Sequence, residues 1–336
     1  MTWVRHTPPF TSAEQQCMTG RPEEPSAQGA RVLRLGTRTS TLAATQAGWV
    51  ADRLRGRGQD VELVPVRTEG DLSTAPLTQI GGTGVFVSAL RTALLDGDID
   101  VAVHSLKDLP VAPEPGLVVA AVPEREDPRD VVITRTGVSL AELDVGAPVG
   151  TGSPRRAAQL QLLAPQVRIV DIRGNVDTRI AKVRSGEVDA IVLAAAGLIR
   201  LNRMEDATEI LDLDRMLPAP GQGALAVECR TDDIGVRQAC ATLDHRGTRA
   251  EITAERALLH RLEAGCTSPI GALARADAEG LSLTAFVALR GRSLRHTMAG
   301  SLPAELGQSV AEHLLDRLAT AQPTPAESPT TTERDL

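Results

Sequence analysis

The stretch from Pro148 to Arg184 constrains the fold most, because it holds two consecutive units that each indicate a strand, a short loop and a helix. In the first unit an apolar segment ends at Gly150, Ser153 can cap a helix, and Pro154 suits the first helical position. Residues 167–185 repeat the pattern, and a glycine follows the second helix. Repeated units of this kind predict an α/β fold with parallel strands.

Arginines cluster on the two loops of this stretch. Arg155 and Arg156 fall in the first turn of the first predicted helix, where the helix dipole disfavours a cation. Arg173 lies on the second loop and Arg179 one turn inside the second helix. Each arginine alone is explained equally well as solvated surface charge. Together they predict a crevice that binds carboxylate or phosphate through planar guanidinium groups.

Two further arginines follow other predicted strands. Arg38 lies on a strand-to-helix loop, where Ser40 or Thr39 is a natural helix cap. Arg200 comes shortly after residues 188–195, an apolar run typical of a strand covered on both faces. Both arginines repeat the placement of a cation beyond the carboxyl end of a strand.

Lys107 and Asp108 are a second pair of candidate site residues. They follow the predicted strand 100–104, and ligands of parallel sheets bind beyond the carboxyl ends of the strands. An ordinary ion pair within a turn explains them equally well. His104, inside the strand, is better interpreted as a buried, hydrogen-bonded core histidine.

Composition narrows the class of function. The 336-residue chain has a formal net charge of -7 and 1% aromatic residues, which argues against nucleic-acid binding. No apolar run approaches the roughly 20 residues that span a bilayer, and residues 1–30 lack the apolar core of a secretory signal. Four cysteines without Cys-x-x-Cys pairs fit a reducing cytoplasm, and metal-ligand spacing is absent, so no metal is expected.

Two proline-bearing segments, 123–130 and 217–223, indicate crossings between two α/β lobes, as in a hinged, clam-like binding fold. The predicted divisions are a disordered extension at 1–30, an α/β domain 1 at 31–125 with 220–243, an α/β domain 2 at 126–219, an α+β domain 3 at 244–320, and a disordered tail at 321–336.

The third unit has a different pattern. Thr248 and Glu251 have the spacing of a capping box at the start of a helix that stops at Gly265. Strands are predicted at about 270–274 and 281–289, and a helix lies near 304–319. This order indicates a small α+β unit.

Cys266 is the cysteine best placed for chemistry, since it lies on a loop between a helix-stopping glycine and a proline. Loop position alone slightly favours an unreactive buried loop cysteine, and a Cys-His pair with His260 or His245 stays open. The other cysteines are two predicted core residues and one in the extension: Cys229, Cys240 and Cys17.

Taken in order, several short motifs resemble the porphobilinogen deaminase (hydroxymethylbilane synthase) family from about Val32 to Arg317. The motifs are Thr37-Arg38-Thr39-Ser40, His104-Ser105-Leu106-Lys107-Asp108-Leu109-Pro110, Glu124-Arg125-Glu126-Asp127-Pro128-Arg129-Asp130, Arg173-Gly174-Asn175-Val176-Asp177-Thr178-Arg179, Pro220-Gly221-Gln222-Gly223-Ala224 and Leu262-Glu263-Ala264-Gly265-Cys266. Each motif alone is modest, but in this order they are highly specific.

The resemblance implies two domains like those of type II periplasmic binding proteins and a smaller C-terminal α+β domain. Cys266 would carry a dipyrromethane cofactor in thioether linkage, made from the substrate porphobilinogen, and Asp108 would be the catalytic carboxylate. Residues expected to contact the cofactor are Lys107, Asp108, Ser153, Arg155 and Arg156. Residues expected to hold the substrate or growing chain are Arg38, Ser40, Arg173, Arg179 and Arg200.

The implied reaction is the head-to-tail condensation of four porphobilinogen molecules with loss of ammonia, followed by hydrolytic release of hydroxymethylbilane. Each pyrrole ring brings two carboxylates, which explains the arginines. Loss of ammonia leaves a cationic azafulvene, which a carboxylate at Asp108 would stabilise. We expect a cytoplasmic monomer without nucleic-acid or membrane partners. Departures from the family pattern occur at Thr83, Ser88, Gly152 and Pro154.

Two other classes of protein could share some of these sequence features. A non-enzymatic binding protein of the same clam-like build would explain the arginines and the crossings, but it would need neither Cys266 nor the third unit. A regulatory effector-binding domain would need a DNA-binding element such as a helix-turn-helix, and the sequence shows none.

Overall fold

The computed structural model describes residues 31–66, 84–264, 268–278, 280–289 and 291–320. Within these ranges the strands are β1 Leu33–Thr37, β2 Val61–Pro65, β3 Val101–Ser105, β4 Leu117–Ala121, β5 Asp130–Thr134, β6 Pro148–Gly150, β7 Arg168–Val170, β8 Ala190–Ala194, β9 Glu209–Ile210, β10 Leu225–Arg230, β11 Ile270–Asp277, β12 Gly280–Leu289 and β13 Arg292–Gly300. The α-helices there are α1 Thr41–Arg55, α2 Gly84–Leu95, α3 Pro154–Leu163, α4 Val176–Arg184, α5 Ala195–Arg200, α6 Ile234–Ala241, α7 Arg246–Arg261 and α8 Pro303–Thr320.

Several expectations concern residues outside the described ranges. These are the N-terminal extension at 1–30, the tail at 321–336, the departure at Thr83 and the cofactor cysteine Cys266. They stay predictions.

The first sheet has the strand order β2-β1-β3-β10-β4. Strands β1, β2 and β3 pair in parallel, whereas β10 pairs antiparallel with both β3 and β4. The chain therefore leaves this sheet after β4 and returns to insert β10. Residues 101–104 of β3 are all buried, as expected for a central strand that is covered on both faces.

The second sheet repeats this arrangement in the order β7-β6-β8-β5-β9. Here β6 pairs in parallel with β7 and β8, and β5 runs antiparallel to β8 and β9. The third sheet is an antiparallel meander of β11, β12 and β13, against which α7 and α8 pack. Apolar side chains of α7, α8 and this sheet form one buried cluster.

This topology confirms the predicted fold class: two α/β units, each with one antiparallel strand in a mixed five-stranded sheet, and a smaller α+β unit. In each of these two units the antiparallel strand lies beside one of the predicted crossings: β10 follows residues 217–223, and β5 begins at the end of residues 123–130. The domain boundaries that the sequence suggested remain a prediction, although each sheet falls within one suggested division.

Residues of both crossings and of α7 contact one another. Arg125 donates from Nη1 to Glu255 Oε1 at 2.6 Å and from Nε to the Gln222 carbonyl at 2.8 Å. The buried Glu255 carboxylate also accepts backbone N–H groups of Gly221 and Ala274. One carboxylate of α7 therefore joins both crossings to the third sheet.

The predicted capping box at Thr248 and Glu251 is wrong. Helix α7 begins at Arg246, and its N-cap is His245, whose Nδ1 accepts from the Thr248 backbone N–H at 3.2 Å. Glu251 instead accepts from the Ala276 backbone N–H. A ring nitrogen can fill the role of a cap oxygen, which the usual preference for Ser, Thr, Asp and Asn does not anticipate.

Strand β13 was not predicted. Its residues alternate between exposed and half-buried along its length, and only Leu294 and Met298 supply large apolar side chains. An edge strand with so few apolar side chains gives a weak periodic signal. Its pairing with β12 is a nonlocal constraint.

We predict that Gly223→Ala destabilises the protein more than Gly58→Ala does. Both glycines have positive φ, at +89° and +84°, but a Cβ on Gly223 would lie 2.3 Å from the Glu126 carbonyl oxygen, whereas nothing lies within 4 Å of a Cβ on Gly58. We expect Gly58→Ala to cost about 1 kcal/mol from its φ alone and Gly223→Ala roughly 2 kcal/mol or more. Urea unfolding of both variants measures the difference, and equal losses would contradict the close approach of the two crossings.

Candidate active site

Lys107 and Asp108 lie in a short 3-10 turn, Leu106–Asp108, directly after β3. The Leu106 backbone N–H donates to the Ala224 carbonyl at 3.0 Å, which ties the turn to the second crossing. Gly221 has a φ of +78°, and a Cβ there would lie 2.6 Å from the Leu106 side chain, so the crossing passes closely beneath the turn. The structure thus places both residues at the carboxyl end of a central strand, as expected.

Helix α3 begins as the sequence predicts, with Pro154 in its first turn and the Ser153 side chain accepting from the Arg156 N–H at 3.4 Å. Arg155 and Arg156 are nevertheless buried, at 3% and 6% exposure. Between them lies the fully buried carboxylate of Asp130, the first residue of β5. The protein itself therefore supplies an anion at the start of α3, the carboxylate of Asp130.

Asp130 contacts each arginine with a different oxygen. Its Oδ1 accepts from Arg156 Nη2 at 2.7 Å, and its Oδ2 lies 2.8 Å from Arg155 Nη1 as an ion pair. Burial would raise the pKa of Asp130, but Arg155 and Arg156 together lower it well below its usual range. Burial lowers the pKa of Arg155, and Asp130 opposes that shift.

Lys107 is partly exposed at its surface, yet protein atoms surround its amine closely enough that desolvation lowers its pKa to about 8. The charge of Asp108 opposes this shift, and Arg156, Asp130 and Arg155 also act on the amine. The lysine turn and the arginine pair therefore belong to one electrostatic cluster.

Arg179 joins this cluster from helix α4, whose N-cap is Asn175. Burial lowers the pKa of Arg179, with smaller contributions from Arg156, Asp171, Arg173 and Asp108. Its Nε donates to the Gly174 carbonyl at 2.8 Å. Arg173 is more exposed than Arg155 and Arg156, and its Nε lies 3.7 Å from Asp171 Oδ2.

The remaining predicted substrate residues lie at the start of α1 and in the last turn of α5. Ser40 caps α1, accepting from the Ala43 N–H, and Arg38 precedes it. Leu42 of α1 lies beside Gly197 of α5, so the two helices are in contact. Arg200, in the last turn of α5, donates to a backbone carbonyl of the second crossing at 2.7 Å, and burial lowers its pKa.

Sequence reasoning missed Asp130 and Gln222. Asp130 was assigned to a crossing, and the only signal for its role was an acidic residue opening an apolar strand. Gln222 donates from Nε2 to Asp130 Oδ1 at 2.8 Å and to the Pro128 carbonyl at 2.7 Å. Two other arginines of the opening stretch are exposed, and one of them pairs with Asp206: Arg168 and Arg184.

Three residues assigned to the core are confirmed there. His104 is buried, and its Nε2 lies 3.1 Å from Glu228 Oε2. The Glu228 carboxylate also accepts a hydrogen bond from Arg91. Cys229 and Cys240 are both fully buried in the core of the first sheet.

Gly152, one of the departures from the family pattern, lies where two loops approach each other closely. A Cβ at this position would lie 3.0 Å from the Ile172 carbonyl oxygen and 3.1 Å from Asp171 Oδ1. The loops after β6 and β7 therefore approach each other too closely for a larger residue without a shift of a few tenths of an ångström. Two further departures lie within the described residues: Ser88 is exposed on α2, and Pro154 is the first residue of α3.

The assembled cluster fits an anionic ligand. It gathers five cations against three carboxylates: Lys107, Arg155, Arg156, Arg173 and Arg179 against Asp108, Asp130 and Asp171. The Nε of Arg155 is buried and donates to no acceptor among the described residues, a state that costs about 1–3 kcal/mol until an acceptor is supplied. A ligand with several carboxylates would provide the missing acceptors and charge.

A cavity of about 690 Å³ adjoins the Lys107 turn. Its walls include Lys107, Pro220, Arg256 and Ala264, the residue that lies two positions before Cys266 in the sequence. In the described ranges no group of three or more His, Cys, Asp and Glu side chains is arranged to hold a metal ion. No helix of the described part is long and apolar enough to cross a membrane.

Fold and site together define a two-lobed α/β protein with a third α+β unit, built to hold a polycarboxylate between basic loops. Residues 33–238 match the family model "Porphobilinogen deaminase, dipyromethane cofactor binding domain", and residues 249–316 match "Porphobilinogen deaminase, C-terminal domain". The chain belongs to the porphobilinogen deaminase family, which confirms the resemblance of its motifs.

Similar proteins carry the same name. Porphobilinogen deaminase 1 of Streptomyces coelicolor is 59% identical over 255 residues, covering 74% of this chain and 80% of that one. Porphobilinogen deaminase of Mycobacteroides abscessus is 50% identical over 303 residues, covering 86% and 99%. Among solved structures, the methionine-binding protein MetQ aligns at a TM-score of 0.41 and 15% identity over 63% of this chain and 89% of its own, a likeness too distant to bear on function.

We predict that Lys107 titrates near pH 8 in the ligand-free protein, so its positive charge is lost as the pH rises through about 8. An anionic ligand should raise the pKa of Lys107, and the protein should bind that ligand less tightly above about pH 8. The sequence contains two lysines, Lys107 and Lys182. After reductive ¹³C-methylation of Cys266→Ser protein, an NMR titration follows both lysines and the α-amino group, and the variants Lys182→Arg and Lys107→Arg assign the lysine signals. A Lys107 midpoint near the unperturbed value of about 10.4 would contradict the burial of its amine.

Proposed function

We propose that the chain catalyses the reaction of its family: it condenses four porphobilinogen molecules head to tail, releases ammonia at each step, and frees the linear tetrapyrrole hydroxymethylbilane by hydrolysis. The observation that carries this proposal is the cluster in which the charges of Arg155, Arg156 and Asp130 act on the amine of Lys107, the residue directly before Asp108. The binding-protein alternative loses its support, because family membership accounts for the two-lobed fold as part of the enzyme.

The cofactor is a dipyrromethane held by a thioether at Cys266, and when bound it supplies the terminal pyrrole carbon to which the first substrate ring is joined. Lys107, Arg155 and Arg156 hold its carboxylates. Two features support this assignment: the unsatisfied Nε of Arg155 and the position of Ala264 on the same cavity wall as Lys107. Ser153 orients the arginines by capping their helix.

Asp108 performs the electrostatic part of catalysis. Loss of ammonia from the substrate leaves a positive charge on its pyrrole, and a carboxylate at the ring N–H stabilises that charge as it develops. Asp108 is half-buried at the end of the turn that follows β3, directly beside Lys107. The charges of Lys107 and Arg179 lie close to it.

The substrate and the growing chain are held by arginines of both lobes. Arg173 and Arg179 contribute from the second α/β unit, Arg38 and Ser40 from the first. Arg200 contributes from α5, where its contact with the second crossing supports a place at the boundary between the lobes. Arginine suits this role, because it binds carboxylates in a bidentate manner and stays charged throughout the reaction.

The proposed partner is the small molecule porphobilinogen, acted on by a cytoplasmic monomer that binds neither nucleic acid nor membranes. Three domains are proposed with the boundaries given by the sequence. The net charge of -7 supports the lack of nucleic-acid binding, since the arginine cluster is a local feature.

We predict that the purified protein carries a covalent dipyrromethane on Cys266. Intact-mass spectrometry of the wild type and of Cys266→Ser should differ by the adduct in addition to the substitution. Cys17→Ser is the matched control and should keep the full adduct. Equal adduct states in the wild type and Cys266→Ser would remove the proposed tether.

We predict that Asp108→Ala folds but lowers kcat by roughly 100-fold or more, because the developing positive charge loses its counter-charge. Circular dichroism should show a native spectrum, and single-turnover assays should show slow release of ammonia. Asp96→Ala, an exposed carboxylate on the same α/β unit, serves as the control and should keep its activity. Near-normal turnover of Asp108→Ala would assign the chemistry to another group.

A further inference from the structure

Asp130 has an unusual position for a carboxylate that the reaction does not use. Its side chain is fully buried, and it opens β5 where the first crossing enters the second sheet. Three donors converge on its Oδ1: Nε and Nη2 of Arg156, at 3.2 and 2.7 Å, and Nε2 of Gln222, at 2.8 Å. Its Oδ2 accepts no hydrogen bond among the described residues and lies 2.8 Å from Arg155 Nη1 as an ion pair. A buried carboxylate stays charged only when cations pair with it in this way.

Each arginine of the pair is fixed at two points. Arg156 binds Asp130 and donates from Nη1 to the Val192 carbonyl at 2.9 Å. Arg155 lies against Asp130 and donates from Nη1 to the Leu217 carbonyl at 2.5 Å. One carboxylate thus spreads two guanidiniums in different directions, toward β8 and toward the second crossing.

Gln222 and Gln159 extend this arrangement along the second crossing. Gln222 binds both Asp130 and the Pro128 carbonyl. Gln159, one turn after the arginine pair on α3, exchanges hydrogen bonds with the backbone N–H and carbonyl of Leu217. The carboxylate therefore lies where the helix of the arginine pair and both crossings between the lobes meet.

Charge explains why a carboxylate is needed at this place. Two guanidiniums side by side in the first turn of a helix repel each other and the helix dipole. Asp130 cancels one of the two charges and leaves one positive charge for a ligand carboxylate. Without it, the pair would separate or draw in a solvent anion that competes with the ligand.

We propose that Asp130 is a positioning residue of the cofactor site: it sets the geometry in which Arg155 and Arg156 receive the cofactor carboxylates, and Gln222 ties that geometry to the second crossing. The inference rests on the proposed function, because it assumes that the arginine pair binds the cofactor. Asp130 itself touches no ligand and acts only through the two arginines.

The direct test is Asp130→Asn, which keeps the size of the side chain and removes its charge. The fraction of purified protein that carries the covalent dipyrromethane is measured by intact mass. We expect at least a tenfold lower loaded fraction than in the wild type. Asp127→Asn is the matched control: Asp127 lies in the same segment and pairs with Arg129, so loading should stay within twofold of the wild type.

Chemical rescue separates positioning from a general loss of folding. Asp130→Ala leaves room for a small carboxylate between the arginines, so adding formate during incubation with porphobilinogen should speed formation of the adduct at least fivefold over chloride at equal ionic strength. A variant that is merely misfolded would not respond to formate. An equal rate in both salts, with native circular dichroism, would overturn the proposal.

Gln222→Met leaves the ion pairs of Asp130 with both arginines in place. It tests the positioning role if both Asp130 variants fail to fold. It removes the hydrogen bonds to Asp130 and Pro128 with little change in volume, and adduct formation should slow about threefold at an unchanged melting temperature. Wild-type loading in this variant, or in folded Asp130→Asn, would overturn the proposal. Absence of the adduct from the wild-type protein would instead overturn the proposed function, so the two failures are distinguishable.

Discussion

The contact on which the site depends is the buried carboxylate of Asp130 between Arg155 and Arg156. Removing one member of such a buried pair costs about 3–5 kcal/mol, because it leaves an uncompensated charge away from water. The contact joins the start of α3 to the first strand of the second sheet, and Gln222 connects it to the segment that returns to the first sheet. The same contact therefore balances the charges of the site and fixes the geometry of the crossings.

The elements whose signals are local were predictable from the sequence. Ser40, Ser153 and Asn175 cap the helices that follow them, because a short side-chain oxygen needs only a backbone N–H three residues ahead. The apolar run of β8 identified a strand covered on both faces. Since each cap follows a parallel strand, these local signals also placed the cationic loops at the carboxyl ends of strands in the two α/β sheets.

What could not be predicted depends on partners distant in sequence. Asp130 and Arg156 lie 26 positions apart, and nothing in the acidic stretch that ends at Asp130 shows which of its charges becomes buried. The cap at His245 and the edge strand β13 were missed for related reasons, since each is defined by the neighbour it meets. The sequence therefore predicted which cations belong to the site, and the structure shows which contacts hold Arg155 and Arg156 in place.

The balance between arginine and lysine in this site has a physical consequence. Of the 36 basic residues, two are lysines, and one of these lies in the turn that also carries Asp108. Guanidiniums stay charged even when buried, so the arginine cluster keeps its attraction for carboxylates at any working pH. Burial brings the pKa of Lys107 to about 8, which makes it the cation of the cluster whose charge can respond to pH and to bound ligand. Because the amine gains its proton most readily when an anion lies beside it, ligand carboxylates and the charge of Lys107 stabilise each other, and this coupling acts next to Asp108.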